Sequence, residues 1–324
     1  MISAEDFQWA ERPAPEPADG QVLIRNLLLS CDPTQRGWLS RDTYLPAVAI
    51  GDVVRSIAAG EVVTSKHPNF EPGQLVQGLF GWQDYIAAAP GTASSPTLIL
   101  PNVPLEAALG VLGLNGLTAY FGLLDIGRPE AGQTVVVSAA AGATGSAAGQ
   151  IAKIKGCRVI GIAGGPDKCR YLAELGFDEA IDYKKEDVGA RLKETCPKGI
   201  DIYFDNVGGE ILEKVLARLA RRGRVVLCGA IAQYNDEAPA PGPRNLSQLI
   251  VQRGRMEGFI ASDYMNRAAE AFPDLYTWVN EGKLKYQVDV LDGLENAPTA
   301  LARLFKGENR GKQLVRVAGA TRGA

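Results

Sequence analysis

A glycine-containing turn between a β-branched run and a helical pattern carries the clearest chemistry in this chain. The turn consists of Gly142, Ala143, Thr144 and Gly145. It follows the apolar run 135–137 and precedes a helical pattern that reaches Lys153. Small residues let the main chain approach a diphosphate, and the first N–H groups of the helix then point at it. Three more strand-like runs follow, at residues 157–163, 200–204 and 224–228. Because these runs supply a βαβ framework, we favour a dinucleotide site over a merely structural turn.

The end of the second strand-like run indicates which dinucleotide would bind. Sites for NAD place an acidic side chain there to accept hydrogen bonds from the ribose hydroxyl groups. Here the run ends in Gly164, and Lys168 and Arg170 follow within the next helical pattern. A 2′-phosphate carries about two negative charges, which open backbone and a cation suit. Asp167 is the contrary sign, and we interpret it as a cap of the next helix. The pattern favours NADP over NAD, although Lys168 alone could equally be a solvated helix residue.

The third and fourth strand-like runs end in residues that could face the same ligand. Asp205 and Asn206 close one of them. The other closes with Cys228, Gly229, Ala230 and Ile231. In an open α/β sheet, ligands lie outside the carboxyl ends of the strands. If the strands are parallel, these residues face the cofactor; if either strand runs the other way, they are ordinary turn residues.

Composition excludes several other kinds of chemistry. His67 is the sole histidine of 324 residues and lies in a polar stretch before Pro68, typical of a surface loop. A zinc site and a Ser–His–acid constellation would both have to be built around it, so we expect no metal and no hydrolytic triad. The five cysteines are scattered, odd in number and without a CxxC pair, which predicts a reducing, cytoplasmic location. The net charge of -3 argues against nucleic acid as a partner.

One uncharged stretch, residues 107–124, reaches the length of a membrane span. It contains several glycines and Asn115, and it leads directly into the nucleotide-binding unit. We therefore interpret it as a buried helix pair and expect no membrane partner.

The order of elements predicts an inserted domain. The first hundred residues read as short strands broken by turns, including 21–27, 51–56, 60–63, 75–78 and 82–88. From about Leu105, helical patterns alternate with β-rich runs, which indicates a doubly wound α/β unit. Strand-like segments return after Leu284, with an amphipathic helical pattern between them. We predict a β-rich domain at residues 1–112 and 284–324, and a nucleotide-binding domain at residues 113–283. The Pro-rich stretch 237–243 is interpreted as a loop that could cover a site.

Several motifs resemble those of a known family. They lie at residues 30–37, 116–123, 139–146, 203–209, 228–231, 255–259 and 306–312. The chain is similar across almost its whole length to the zinc-independent medium-chain dehydrogenases/reductases of the leukotriene B4 12-hydroxydehydrogenase, prostaglandin reductase and alkenal double-bond reductase group. The resemblance implies a Rossmann domain with a doubly wound parallel sheet, inserted between the two parts of a GroES-like β-rich domain, and a homodimer.

The resemblance also implies roles for individual residues. Gly142 to Gly145 would hold the diphosphate of NADP, and Lys168 its 2′-phosphate. Tyr183 would contact the adenosine side, and Asn206 the cofactor backbone. The rest of the cofactor cleft would be lined by Cys228, Gly229, Ala230, Ile231, Tyr234, Phe259, Ile260, Ala261 and Asn309.

Two departures from the family pattern concern the substrate. An aromatic-Met pair usually stands where this chain has Thr34 and Gln35. The eicosanoid and plant members carry a tyrosine, thought to steady the enolate, at the position of Val251. We expect Tyr44 to substitute for it as the catalytic phenol, with a buried structural phenol as the competing interpretation.

The resemblance implies a reductase for α,β-unsaturated aldehydes or ketones. NADPH would deliver hydride to the β-carbon, and the resulting enolate would be protonated at the α-carbon. Two alternatives remain open: an NADPH-dependent quinone reductase on the same scaffold, and a non-catalytic NADPH-binding sensor.

Overall fold

The computed structural model describes residues 2–236, 238 and 240–317. Its strands are β1 Val22–Ser30, β2 Ala58–Ser65, β3 Leu75–Gly78, β4 Tyr85–Ala88, β5 Thr97–Leu98, β6 Thr134–Ser138, β7 Arg158–Ala163, β8 Glu179–Asp182, β9 Ile200–Asp205, β10 Leu219–Leu227, β11 Arg255–Gly258, β12 Val288–Asp292 and β13 Lys312–Arg316. Its α-helices are α1 Gln35–Trp38, α2 Leu105–Ala108, α3 Leu114–Phe121, α4 Ala143–Ile154, α5 Pro166–Glu174, α6 Val188–Thr195, α7 Gly209–Leu216, α8 Ser247–Gln252, α9 Ala268–Asn280 and α10 Ala297–Lys306. Short 3-10 turns and one π-helical turn, Gly122–Gly127, connect some of them.

The chain forms two compact units. One unit takes the residues up to Leu109 and those from Val288 onward, and the other takes Gly110–Gln287. The division therefore lies three or four residues from the predicted boundaries. We call the unit formed by the two ends of the chain the β unit, and the unit Gly110–Gln287 the α/β unit.

The β unit is built around a seven-stranded sheet in the order β12-β13-β1-β2-β3-β5, with β4 also paired to β1. All pairs are antiparallel except β12 with β13. Strand β1 alternates buried and partly exposed residues, as a strand with one face on a core requires. Because β1 pairs with β13, the two ends of the chain meet in one sheet.

The α/β unit contains a six-stranded parallel sheet in the order β11-β10-β9-β6-β7-β8. Counted from β6 as the first strand, this is the doubly wound order 3-2-1-4-5-6. Val135, Val136 and Val137 of β6 are fully buried, as expected for a strand covered on both faces. Strands β7 and β8 lie on one side of β6, and β9, β10 and β11 on the other, so the strand order reverses between β6 and β9 and makes that gap the topological switch point. The expected class, a Rossmann domain inserted into a GroES-like β-rich domain, is confirmed.

Three details differ from the sequence predictions. Residues 51–56 are irregular rather than a strand, and β2 pairs with β1 instead. Strand β8 was not anticipated, because its four residues include two acids. The uncharged stretch 107–124 contains the end of α2, all of α3 and the start of the π-helical turn. Among the described residues, no helix is long and apolar enough to cross a membrane.

All five cysteines are free thiols. Burial raises the pKa of Cys31 and of Cys228 to about 12. Burial also raises the pKa of the other three, Cys157, Cys169 and Cys196. Since the thiolate is the reactive form of cysteine, all five side chains are held in their less reactive form.

Candidate functional site

The carboxyl ends of all six parallel strands lead into residues that the sequence identified as cofactor contacts. Those ends lie along one edge of the sheet. The contacts follow β6 at 142–145, β7 at 164 and 168, β8 at 183, β9 at 206, β10 at 228–231 and 234, and β11 at 259–261. The fold thus brings these residues to the edge where doubly wound sheets bind their ligands.

The turn after β6 is both strained and tight. Ala139 has a φ of 45°, a left-handed conformation that costs a residue with a Cβ about 1 kcal/mol or more. Helix α4 begins at Ala143, with Gly142 as its N-cap. A Cβ on Gly145 would lie 2.5 Å from the carbonyl oxygen of Ala139, so only glycine lets the helix pass this close to the turn. The Thr144 hydroxyl accepts a hydrogen bond of 3.2 Å from Asn115 Nδ2. The helix start fits a diphosphate, because its first N–H groups lack partners within the helix.

The ends of β7 and β8 form a shelf beside this turn. A Cβ on Gly164 would lie 2.8 Å from a ring carbon of Tyr183, so the tyrosine ring lies against bare backbone. Tyr183 is 46% exposed, which leaves its other face open to a ligand. Lys168 lies in the first turn of α5. The structure therefore places a cation and an aromatic face near the tip of β7, as a 2′-phosphoadenosine group requires.

Two acidic residues of this region differ from the sequence interpretation. Asp167 is not the cap of α5, because the N-cap is Gly165 and Asp167 lies two residues later in the first turn, ion-paired with Arg170. Asp182, at the end of β8, was missed; it is 7% exposed and accepts a 2.8 Å hydrogen bond from the Gly165 N–H. Strand β7 is followed directly by Gly164 and Gly165, but Asp182 reaches its tip from the neighbouring strand.

Hydrogen bonds join the end of β9 to the ends of β6 and β10. Asn206 Nδ2 donates to the main-chain oxygen of Ser138 at 2.7 Å. The N–H groups of Cys228 and Gly229 both donate to the main-chain oxygen of Asp205, at 2.9 and 3.0 Å. The Ala230 N–H donates to the Tyr234 hydroxyl at 3.1 Å, which closes the turn after β10. Ile231 begins the 3-10 turn that carries Tyr234.

The segment after β11 carries Phe259, Ile260 and Ala261. A Cβ on Gly122 would lie 2.5 Å from the Phe259 ring, so the ring packs directly onto the glycine. Tyr264 meets Phe259 edge to face, with centroids 6.2 Å apart. Val251 lies on α8 and is 57% exposed. No catalytic tyrosine from α8 is therefore available at that position.

The β unit carries the remaining predicted residues. Tyr44 is 47% exposed, which excludes the alternative of a buried structural phenol. Its hydroxyl lies 3.0 Å from Thr34 Oγ1, and its ring meets Trp38 edge to face at 6.1 Å. Asn309 is 8% exposed and donates through Nδ2 to the Gly311 carbonyl at 2.9 Å.

A buried ion pair anchors the segment that leads to Tyr44. Lys312 Nζ lies 2.6 Å from Asp32 Oδ1 and donates to the Cys31 carbonyl at 3.2 Å. The Asp32 N–H donates to Gln35 Oε1 at 2.9 Å, which fixes the start of α1. Neither Lys312 nor Asp32 was predicted as functional, although both lie in motifs that carry the family resemblance.

The last features to place are Trp82, the Pro-rich loop 237–243 and His67. Trp82 packs against the core of the β unit. Glu237 and Pro239, in the Pro-rich loop 237–243, lie outside the described residues. His67 lies in a loop, where its Nδ1 accepts a 3.1 Å hydrogen bond from the Asn69 N–H. Within residues 2–236, 238 and 240–317, no group of three or more His, Cys, Asp or Glu side chains could hold a metal ion.

Comparison with known proteins agrees with this geometry. A family model described as "Zinc-binding dehydrogenase" matches residues 143–281, and one described as "N-terminal domain of oxidoreductase" matches residues 1–95. The donor set of the described residues does not fit the zinc that the first description names.

Relatives that match almost the whole chain indicate a narrower group of proteins than the two family models do. The chain is 44% identical to the NADPH-dependent curcumin reductase of Escherichia coli (strain K12), over 97% of this chain and 93% of that protein. It is 43% identical to the NADP⁺-dependent 2-alkenal reductase of Nicotiana tabacum, over 91% and 87%. The crystal structure of CurA from Vibrio vulnificus in complex with NADPH superposes with a TM-score of 0.92 at 43% identity, covering 98% of this chain and 96% of that one. The chain therefore belongs to the zinc-independent medium-chain dehydrogenase/reductase family, in its alkenal double-bond reductase group.

Proposed function

We propose that this protein uses NADPH to reduce the activated C=C bond of α,β-unsaturated aldehydes or ketones. The observation that supports the proposal is that residues predicted to contact the cofactor follow every strand of the parallel sheet. The relatives support it, because an NADPH-dependent curcumin reductase and a 2-alkenal reductase match almost the full chain.

Residues of the α/β unit hold the cofactor in this proposal. The start of α4, from Gly142 to Gly145, receives the diphosphate, and Lys168 the 2′-phosphate. Tyr183 covers the adenosine side, whereas Asn206, the turn after β10 and the segment after β11 line the nicotinamide half. Asn309 of the β unit is the remaining proposed contact. Bound NADPH supplies the hydride that adds to the β-carbon of the substrate.

A hydroxyl pair in the β unit provides the polar group on the substrate side. Negative charge develops on the carbonyl oxygen as the β-carbon receives hydride, and an oriented O–H stabilises that charge. Tyr44 and Thr34 present two hydroxyl groups 3.0 Å apart, with the phenol half exposed. Tyr44 therefore donates to the developing oxyanion, and Thr34 holds its hydroxyl group. No histidine or buried carboxylic acid is needed.

The cofactor half of the proposal is tested with Lys168→Ala. Loss of a hydrogen bond to a charged group costs about 1.5–3 kcal/mol, which corresponds to a rise of about 10- to 100-fold in KM for NADPH. The exposed Lys193→Ala on α6 removes the same charge elsewhere and is the matched control. Equal use of NADH and NADPH by the wild type would contradict the assignment of Lys168.

The substrate half is tested by NADPH oxidation with a panel of 2-alkenals, enones and quinones. Turnover of enals and enones, with kcat lowered about 10-fold or more in Tyr44→Phe, is the expected result. Activity on quinones but not on 2-alkenals would instead establish a quinone reductase. Tight NADPH binding without turnover of any compound would establish a sensor.

We also propose that the protein is a cytoplasmic homodimer. The free thiols favour a reducing compartment. Strand β11 is an outer strand of its sheet, and α8, which precedes it, exposes Ile250 and Val251 at 80% and 57%. Light scattering should give twice the chain mass of 34.5 kDa; a mass equal to one chain would refute the dimer.

A further inference from the structure

The carboxylate of Asp205 lies at the topological switch point of the parallel sheet. Strands β6 and β9 are neighbours there, with Val137 opposite Phe204. Asp205 is the last residue of β9 and Ser138 the last of β6. The Ser138 hydroxyl donates to Asp205 Oδ1 at 3.0 Å, so a side-chain hydrogen bond joins the two strands where they separate.

Four donors converge on that single oxygen. Besides Ser138, the Tyr203 hydroxyl donates to Asp205 Oδ1 at 2.7 Å, and the N–H groups of Val207 and Gly208 each donate at 2.9 Å. Asp205 is fully buried; the four donors replace water at Oδ1, whereas Oδ2 is buried without a hydrogen-bond partner. The arrangement also raises the pKa of Tyr203, through burial first and the nearby carboxylate second, so the phenol stays a donor.

The turn that Asp205 holds has a conformation that needs support. Gly208 and Gly209 have φ values of 70° and 55°, so two consecutive residues are left-handed. The Asp205 side chain bonds the first of them directly. Without those hydrogen bonds the two glycines would sample many other conformations.

The main chain extends the connection to the neighbouring loops. The Asp205 carbonyl accepts the N–H groups of Cys228 and Gly229 after β10. Ser138 Oγ, which donates to Asp205, accepts the Asn206 N–H at 2.9 Å. One residue therefore fixes the relative positions of three loops, those after β6, β9 and β10.

We infer that Asp205 is a positioning residue for the diphosphate and nicotinamide half of the cofactor, acting through Ser138, Asn206 and the turn after β10. This inference rests on the proposed function, since that half of NADPH is assigned to these three loops. The adenosine half is assigned to Gly164, Lys168 and Tyr183, which follow β7 and β8. None of the Asp205 hydrogen bonds described above reaches Gly164, Lys168 or Tyr183. Loss of the Asp205 carboxylate should therefore weaken binding of one half of the cofactor more than binding of the other.

The test compares two ligands by isothermal titration calorimetry. NADP⁺ spans both halves of the site, whereas adenosine 2′-phosphate, which lacks the 5′-phosphate, occupies only the adenosine half. The variants are Asp205→Asn, Ser138→Ala and Tyr203→Phe, the last of which removes only the hydroxyl group. Thr195→Val is the control, because Thr195 is a buried hydroxyl of the same unit whose Oγ1 bonds the Arg191 carbonyl.

Weakened NADP⁺ binding with intact fragment binding is the expected result. Asp205→Asn should raise the Kd of NADP⁺ about 10-fold or more, and Ser138→Ala and Tyr203→Phe about 3- to 10-fold. The Kd of adenosine 2′-phosphate should stay within about 2-fold of wild type in every variant that folds. If Asp205→Asn does not fold, the two hydroxyl variants carry the test.

Two outcomes would overturn the inference. Unchanged NADP⁺ binding in the hydroxyl variants would show that the network does not position the cofactor. An equal loss for both ligands would show a general structural role. Failure of the wild type to bind NADP⁺ at all would overturn the proposed function together with this inference, and is thereby distinguished from the first two results.

Discussion

Removal of the Lys312 ammonium group should destabilise the β unit strongly. Lys312 and Asp32 are 4% and 17% exposed, and their charged atoms lie 2.6 Å apart. Lys312→Met keeps the apolar stem and removes the charge, so Asp32 loses the ammonium group that lies 2.6 Å from it. Breaking a buried ion pair from one side costs about 3–5 kcal/mol. Because Asp32 keeps some contact with solvent and the hydroxyl bond of Ser30, we expect the lower end, about 3 kcal/mol.

The matched control lies on the same strand. Arg316 pairs with Asp292 at 2.8 Å, but the two side chains are 50% and 76% exposed. An exposed pair is screened by water and contributes at most about 1 kcal/mol. At about 3 °C per kcal/mol, Lys312→Met should lower the melting temperature by about 9 °C and Arg316→Ala by less than about 3 °C.

Thermal unfolding followed by circular dichroism, without NADP, measures both variants. The double variant Asp32→Asn/Lys312→Met should recover part of the loss, because the carboxylate charge is then removed together with the ammonium charge that it faces. Equal melting temperatures for Lys312→Met and Arg316→Ala would refute the reasoning that burial sets the strength of this pair.

Three further predictions concern the α/β unit. Gly145→Ala places a Cβ 2.5 Å from the main-chain oxygen of Ala139, which cannot move unless the turn moves with it. Titration should therefore show NADPH binding weakened about 10-fold or more, and thermal unfolding should show a lower melting temperature. Gly164→Ala meets only the ring of the half-exposed Tyr183, so the melting temperature should stay within about 2 °C while NADPH binding still weakens several-fold; equal thermal losses for the two glycine variants would contradict this difference. The pKa of Tyr120 is raised to about 12 by burial and by its hydrogen bond to Asp274. The contribution of this hydrogen bond to stability is therefore complete below pH 10 and is lost as the pH rises toward 12. In urea unfolding, the free energy of unfolding should fall over that range in the wild type and fall less in Tyr120→Phe.

The sequence was sufficient to predict the strand, turn and helix at the proposed cofactor edge, because the signals for them are local. A β-branched run, small residues and a helical pattern follow one another within 20 residues, so Gly142 and Gly145 could be identified without any long-range contact. The order of the elements likewise indicated the inserted domain. These features depend on backbone sterics and hydrophobic periodicity, which neighbouring residues determine.

Other site features depend on contacts between distant residues and could not be predicted. Asp182 reaches the tip of β7 only because β8 pairs beside it, and the four residues of β8 show no apolar pattern. Asp205 lies in the motif at residues 203–209, but its proposed role can be inferred only when β6 and β9 are known to be neighbours. A signal was present nonetheless: an acid that closes an apolar strand and precedes two glycines must find donors when buried.

The raised pKa values of the cysteines have a chemical consequence for a reductase of this class. An α,β-unsaturated carbonyl is an electrophile, and it adds readily to a thiolate. With their pKa raised to about 12 by desolvation, Cys31 and Cys228 present much less thiolate at neutral pH than an ordinary cysteine does. Under the proposed function, the raised pKa should slow alkylation of the protein by the compounds that it reduces.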